Sequence, residues 1–240
     1  MSLAAQIETT INNLEAGETF SYGDLGIAVS SYATAAKALE RLKNKGKIKR
    51  LSKGIFYKPE QSVFGELQPS DQEVMKSYLF QNGKRKAYIT GAYLYNQMRL
   101  TRQVANTWKI ATFNARIFVN QQRIKAKPVK AYASVTEENY RLLGFLDALK
   151  DWNTIPDLDT TSGIQILIFW LKEFTPEQIE EIKRYALQYP PRVRAFLAAL
   201  FEELKMTGTV ELRQSLNPLS SYGIRLKPGD LSTAKNWNMI

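Results

Sequence analysis

The chain contains no cysteine and no histidine. The first absence excludes disulfides and thiolate metal sites. The second removes the commonest general base and the commonest transition-metal ligand. Basic residues are missing from the first 36 positions, where Glu8, Glu15, Glu18 and Asp24 give a net −4. Long apolar runs are missing too: Ile164–Leu171, broken only by Gln165, has the length of a buried core segment rather than of a membrane span. Glycine-rich phosphate loops of the Walker or Rossmann type do not occur. Residues 3–14 are interrupted by Gln6, Glu8, Asn12 and Asn13 and carry no secretory pattern, so a cytoplasmic protein without a membrane partner is expected.

What is present is a chain of 240 residues, 44% hydrophobic and 11% aromatic, enough for a small module and a larger domain with a real core. The net charge of +10 favours acidic partners, and it is concentrated. Residues 37–58 hold nine Lys and Arg against Glu40 alone, a net +8. Residues 61–150 are again basic, with 14 against 6, whereas residues 151–240 hold 10 against 11.

The stretch 31–59 organises the reading. Ala35, Leu39 and Leu42 recur at helical spacing, Ser30 or Ser31 can cap the start, and Gly46 stops the helix. Lys47-Ile48-Lys49 then alternates, and Gly54 separates two short strand-like runs. Helix, glycine and basic hairpin outline a recognition helix and its wing. Upstream, residues 2–15 predict a helix capped by Ser2, and a short second helix is expected near Ser21. Three helices and a hairpin give a winged helix-turn-helix over residues 1–60.

Pro59 to Ser70 reads as a linker, followed by a helix with a Ser70–Glu73 capping box. Strands are expected at Lys86–Gly91, Trp108–Phe113, Arg116–Val119 and Arg123–Tyr132, with a short helix at Ala92–Met98. Helices follow from a Thr136 cap, a Ser162 cap, the Thr175-Pro-Glu-Gln signal and Pro190-Pro191, the last ending at Gly208. Residues 209–240 read as an extended tail held by Leu219, Tyr222 and Trp237. The fold class is α+β: the winged helix-turn-helix, then an α/β domain with a helical C-terminal part over 61–240.

Opposite the apolar stripe of the recognition helix stand Tyr32, Thr34, Lys37 and Arg41, with Ser31 at its start and Lys43 further along. Ser31 and Tyr32 can reach phosphate or a base edge, Thr34 and Lys37 the major groove, and Arg41 and Lys43 the backbone. Arg50 and Lys53 flank the wing turn and can track phosphates or enter the minor groove. The pair Asp157 and Asp159 invites a Mg²⁺ reading, but Pro156 before it and Thr-Thr-Ser-Gly after it point to a helix-capping loop. No catalytic residue, metal or cofactor is assigned. Lys84, Arg85, Lys86, Arg123, Lys125 and Lys127 are the candidates for a partner surface.

Gly17-Glu-Thr-Phe-Ser, Ala35-Ala-Lys-Ala-Leu-Glu-Arg-Leu-Lys-Asn-Lys-Gly-Lys-Ile and Arg50-Leu-Ser-Lys-Gly-Ile-Phe-Tyr-Lys-Pro resemble the N-terminal module of AbiEi-type antitoxins, in the branch labelled DUF6088. The later Tyr189-Pro-Pro-Arg-Val-Arg-Ala-Phe-Leu-Ala-Ala-Leu-Phe-Glu-Glu-Leu resembles the same branch. The resemblance implies a DNA-binding regulator that recognises inverted repeats in its own promoter and counteracts a nucleotidyltransferase toxin, with the second domain implicated in that. Tyr32-Ala-Thr-Ala-Ala departs from the Arg-Ala-Ala type of the branch, which bears on base preference rather than binding mode. Two other readings stay open: a winged-helix regulator without a toxin, and an enzyme of nucleic-acid metabolism.

Overall fold

The computed structural model describes residues 2–63, 65–121 and 124–240. The protein is mixed α+β and divides into two compact units, Met1–Ala87 with Val119–Ile124, and Tyr88–Phe118 with Lys125–Ile240. The first unit therefore takes in residues 61–87, which the sequence reading gave to the second domain.

In the first unit, α1 (Leu3–Asn13) starts where Ser2 accepts from the Ala5 N–H at 3.3 Å. It is followed by β1 (Thr19–Ser21). The helix expected near Ser21 does not form. Two glycines, Gly23 and Gly26 (φ +67), fall in this stretch, and the Asp24 carboxylate ties back the Ser21 N–H and hydroxyl at 2.8 and 2.7 Å. A single 3-10 turn, Val29–Ser31, leads into α2 (Tyr32–Asn44). Ser31 makes no side-chain cap, because its backbone (φ −100, ψ 2) is not in the extended region a cap needs. Gly46, at φ +70, turns the chain into β2 (Lys49–Ser52) and β3 (Ile55–Tyr57).

These strands make an antiparallel sheet in the order β1-β3-β2, with Phe20 opposite Phe56 and Arg50 opposite Phe56 on the other side. Lys53 and Gly54 (φ +78) form the tight turn between the paired Ser52 and Ile55. Ile7, Ile11, Phe20, Ala35, Leu39, Leu42, Ile48 and Phe56 close the core beneath α2.

The expected linker is instead the hairpin β4 (Glu60–Ser62) and β5 (Gly65–Leu67). Then comes α3 (Asp71–Leu79), capped by Ser70, which accepts from the Glu73 N–H at 3.2 Å. Glu73 does not complete the box by reaching back. Its carboxylate accepts from the Thr19 N–H at 3.0 Å, which fastens α3 to β1. Ser52 and Tyr78 share a hydrogen bond of 3.1 Å, which fastens α3 to β2. The short hairpin β6 (Phe80–Gln81) and β7 (Lys84–Arg85) completes this unit's main run.

The strands of the second unit lie in the order β11-β9-β8, from β8 (Ala87–Thr90), β9 (Trp108–Thr112) and β11 (Ile124–Lys130); β9 and β11 run parallel. The short α4 (Ala92–Gln97) follows β8; β10 (Val119–Gln121), in the segment that belongs to the first unit, begins three residues later than expected. A helical body then builds on α5 (Tyr140–Asp151), α6 (Thr160–Glu173), α7 (Pro176–Ala186) and α8 (Pro191–Glu203).

Thr175 and Gln178 form the full capping box of α7. Asp159, not Ser162, caps α6, accepting from the Ser162 N–H at 3.1 Å. Thr136 precedes its helix by a turn in which the Asn139 side chain accepts from the Thr136 N–H at 2.9 Å. The tail is not merely extended: it contains α9 (Thr209–Gln214) and a 3-10 turn, Ala234–Trp237. Tyr222 and Trp237 are buried as expected, but Leu219 is 92% exposed and holds nothing. Among the described residues no helix is long and apolar enough to cross a membrane.

Candidate nucleic-acid interface

Helix α2 has two faces because its apolar residues repeat at helical spacing. Ala35, Ala38, Leu39 and Leu42 are buried. The other face leaves Thr34, Lys37 and Arg41 exposed. Tyr32 is 36% exposed, its ring 4.9 Å from that of Tyr22, so part of its surface serves packing. The first turn of α2 carries no acidic residue and no side-chain cap, which leaves its positive dipole end unneutralised.

Pairing decides which cations remain available. Lys43 contacts Glu40 at 2.7 Å, Lys47 contacts Glu8 at 2.6 Å, and Lys49 contacts Glu66 at 2.7 Å. Lys58 donates to the Asn12 and Leu14 carbonyls at 2.8 and 2.7 Å. Hydrogen bonding from Lys47 holds the Glu8 carboxyl below its usual range, and Lys49 does the same to Glu66. Lys37, Arg41, Lys45, Arg50 and Lys53 form no ion pair with a described residue. Arg50 only donates its Nε–H to the Ser52 carbonyl, at 3.2 Å. These five are on α2, at its C-cap and on the β2–β3 hairpin. Charge counting included Lys45, but it was not among the expected DNA contacts, and counting could not separate it from Lys43, whose partner is three residues away on the same helix.

The other predicted cluster is divided. Lys84, Arg85 and Lys86 belong to the first unit; Lys125 and Lys127 belong to the second; Arg123 lies outside the described residues. Arg85 rests 4.5 Å from the Phe80 ring centroid. Lys125 and Lys127 are exposed while Ala126 between them is buried, and Lys127 stands opposite Lys109 in the parallel register. Lys109, unremarked in the sequence, thus joins them on one sheet face.

The polar cluster in the second unit was missed in the sequence reading. Asp147 on α5 is fully buried and accepts from the hydroxyls of Tyr88 and Thr90, both at 2.8 Å, and from Lys150 at 2.9 Å. Tyr95 donates to Asp151 at 2.8 Å. Burial pushes the Asp147 carboxyl up, against the lowering effect of Lys150. Burial opposes the charge on Lys150, yet Asp147 and Asp151 overcome it and hold its ammonium above the usual lysine value. An aspartate as the eighth residue of the apolar helix α5 is the one available signal, since a buried carboxylate needs partners. Asp157 accepts from Thr101 and from the Arg102 N–H, and Asp159 caps α6, so both aspartates have structural roles.

The crystal structure of the RV2827C protein from Mycobacterium tuberculosis is similar to this chain at 11% identity and a TM-score of 0.48, covering 91% of this chain and 83% of that one. No curated protein matches the sequence. The model of the family of unknown function DUF6088 matches residues 6–150, more than half of the chain, and the chain belongs to that family.

Proposed function

We propose that the protein is a DNA-binding transcriptional regulator whose first unit is a winged helix-turn-helix. The observation that carries this reading is the set of five cations without carboxylate partners, Lys37, Arg41, Lys45, Arg50 and Lys53, spread over α2 and the adjoining hairpin. Paired surface charges neutralise one another; unpaired ones exchange condensed counterions for phosphates. Helix α2 enters the major groove with Thr34 and Lys37 toward base edges, and the hairpin turn follows the backbone. Ser31, Tyr32 and the uncapped first turn face phosphate. The resemblance to AbiEi-type antitoxins supports the narrower reading of an autoregulating antitoxin that binds inverted repeats in its own promoter and counteracts a nucleotidyltransferase toxin.

Mobility shifts of the full chain on its own upstream DNA test the first part. Specific binding is expected, and a K37A/R50A/K53A variant should lose it. Binding that is equal on unrelated duplexes removes the regulator reading. Co-expression with the product of a neighbouring nucleotidyltransferase gene tests the second part: rescue of growth is expected, and no rescue leaves a regulator without a toxin.

A further inference from the structure

The parallel strands β9 and β11 end together, with Thr112 opposite Lys130. An open cleft of about 650 Å³ lies at these carboxyl ends, walled on one side by residues 113–118. Crevices outside the carboxyl ends of parallel strands are where α/β sheets place ligands. The Thr112 hydroxyl donates to the Ala115 carbonyl, which closes the base of the segment. Phe113 and Phe118 are 44% and 69% exposed, so two phenyl rings stand in water within six residues. Asn114 and Arg116 are exposed between them, and Lys130 is exposed across the cleft. No carboxylate lines the cleft, and neither Arg116 nor Lys130 has an ion pair with a described residue.

Two exposed rings, an amide and two cations with no acid form a definite chemical set; Lys130 lies 5.9 Å from the Tyr132 ring centroid, a contact that leaves its charge without an anion. An apolar protein segment would satisfy the rings and leave both cations to be desolvated without partners. Duplex DNA offers phosphates but keeps its base faces stacked. A nucleotide with an unpaired base offers both a π face and an adjacent phosphate, which is the pairing that single-strand binding surfaces use.

We propose that this cleft binds single-stranded nucleic acid, with a base stacked on Phe113 or Phe118 and its phosphate held by Arg116 and Lys130. Asn114 is placed to hydrogen-bond the base edge. The site lies wholly within the second unit and is independent of the duplex interface on α2.

Fluorescence anisotropy of the full chain tests this with labelled oligo-U and oligo-dT probes of about ten nucleotides, a site size typical of such surfaces, and with a duplex alongside. F113L/F118L keeps apolar bulk but removes both π faces. It should weaken single-strand binding by roughly tenfold or more while leaving duplex binding unchanged. R116A/K130A should lower the salt slope on single strands by about 0.7 for each charge removed. F113Y/F118Y, with an unchanged melting temperature, should keep the affinity. The proposal is overturned if F113L/F118L binds single strands as the wild type does, or if its loss is equal on duplex. It is also overturned if uridine monophosphate displaces the probes as effectively as unlabelled oligonucleotide, since the ligand would then be a free nucleotide.

Discussion

The two units spend charged residues in opposite ways. In the first, cations stand at the surface over a core of ten buried residues, and six of the nine in the basic stretch form no ion pair with a described residue. In the second, a lysine and an aspartate are drawn into a core of 38 buried residues and held there by hydroxyls. A large core can enclose an ion pair because its many apolar contacts offset the desolvation. A small module cannot, and its charges stay available for a partner. Charge density along the sequence therefore locates an interface only after the paired charges are subtracted.

The sharpest way to break this comparison is Asp147→Ala. It leaves Lys150 with only Asp151, at 3.7 Å, and strands the hydroxyls of Tyr88 and Thr90. Loss of one partner of a buried pair costs about 3–5 kcal/mol. Urea denaturation followed by circular dichroism should show that loss in the helical unit, with duplex binding retained. Equal loss of both would show that the units do not use their charges independently.

The sign of the pH dependence follows from burial. The folded Asp147 holds its proton more tightly than the ordinary value of 3.8. Its contribution to stability is full below that value and declines as pH rises through the raised one. Asp147→Asn, which cannot ionise, should flatten this decline, and a midpoint series across acid pH measures it.

The parts that were legible in the sequence were the ones fixed by local chemistry. The stripe Ala35, Leu39, Leu42, the Gly46 stop, the Ser2 cap and the Thr175 box all depend on residues within one or two turns of each other. What was not legible depends on distant partners. Glu73 looked like half of a capping box because Ser70 is three residues away, but Thr19, 54 positions upstream, takes its carboxylate. Residues 60–67 read as a linker because each strand is three residues long, too short for alternation to register. At the interface, Lys47 and Lys49 were indistinguishable from Lys45 until Glu8 and Glu66 were seen against them. The boundary at residue 60 has a practical consequence, since cutting there removes Glu73 and Tyr78, which fasten α3 to β1 and β2.

Smaller effects should separate the exposed cations by role. Lys37→Ala and Thr34→Ala should each cost roughly 1–3 kcal/mol on the preferred site and less on others, because base contacts carry sequence information. Arg50→Ala and Lys53→Ala should weaken all duplexes alike and reduce the salt slope by about 0.9 each. Mobility shifts at several salt concentrations, on preferred and scrambled duplexes, distinguish the two patterns. A hairpin variant that changes preference at constant slope would reverse the assignment.

The smallest expected effect tests the subtraction rule itself. Glu8 holds Lys47 at 2.6 Å, and both side chains are about 40% exposed, so the pair contributes little to stability. Glu8→Gln should leave the melting temperature nearly unchanged yet free Lys47 for phosphate. The salt slope on duplex DNA should then rise by about 0.9. The pH dependence has a definite sign. Lys47 depresses the Glu8 carboxyl below its ordinary 4.5, so the pair persists through neutral pH and dissolves only as pH falls through the depressed value. Wild type and Glu8→Gln should therefore differ in salt slope at neutral pH and converge in acid. Glu66→Gln is a poorer probe, because Glu66 also accepts from the Tyr57 hydroxyl at 3.2 Å and its loss disturbs the sheet. If the Glu8→Gln slope equals that of the wild type at every pH, Lys47 lies outside the path of the phosphates, and its pairing with Glu8 has no bearing on DNA.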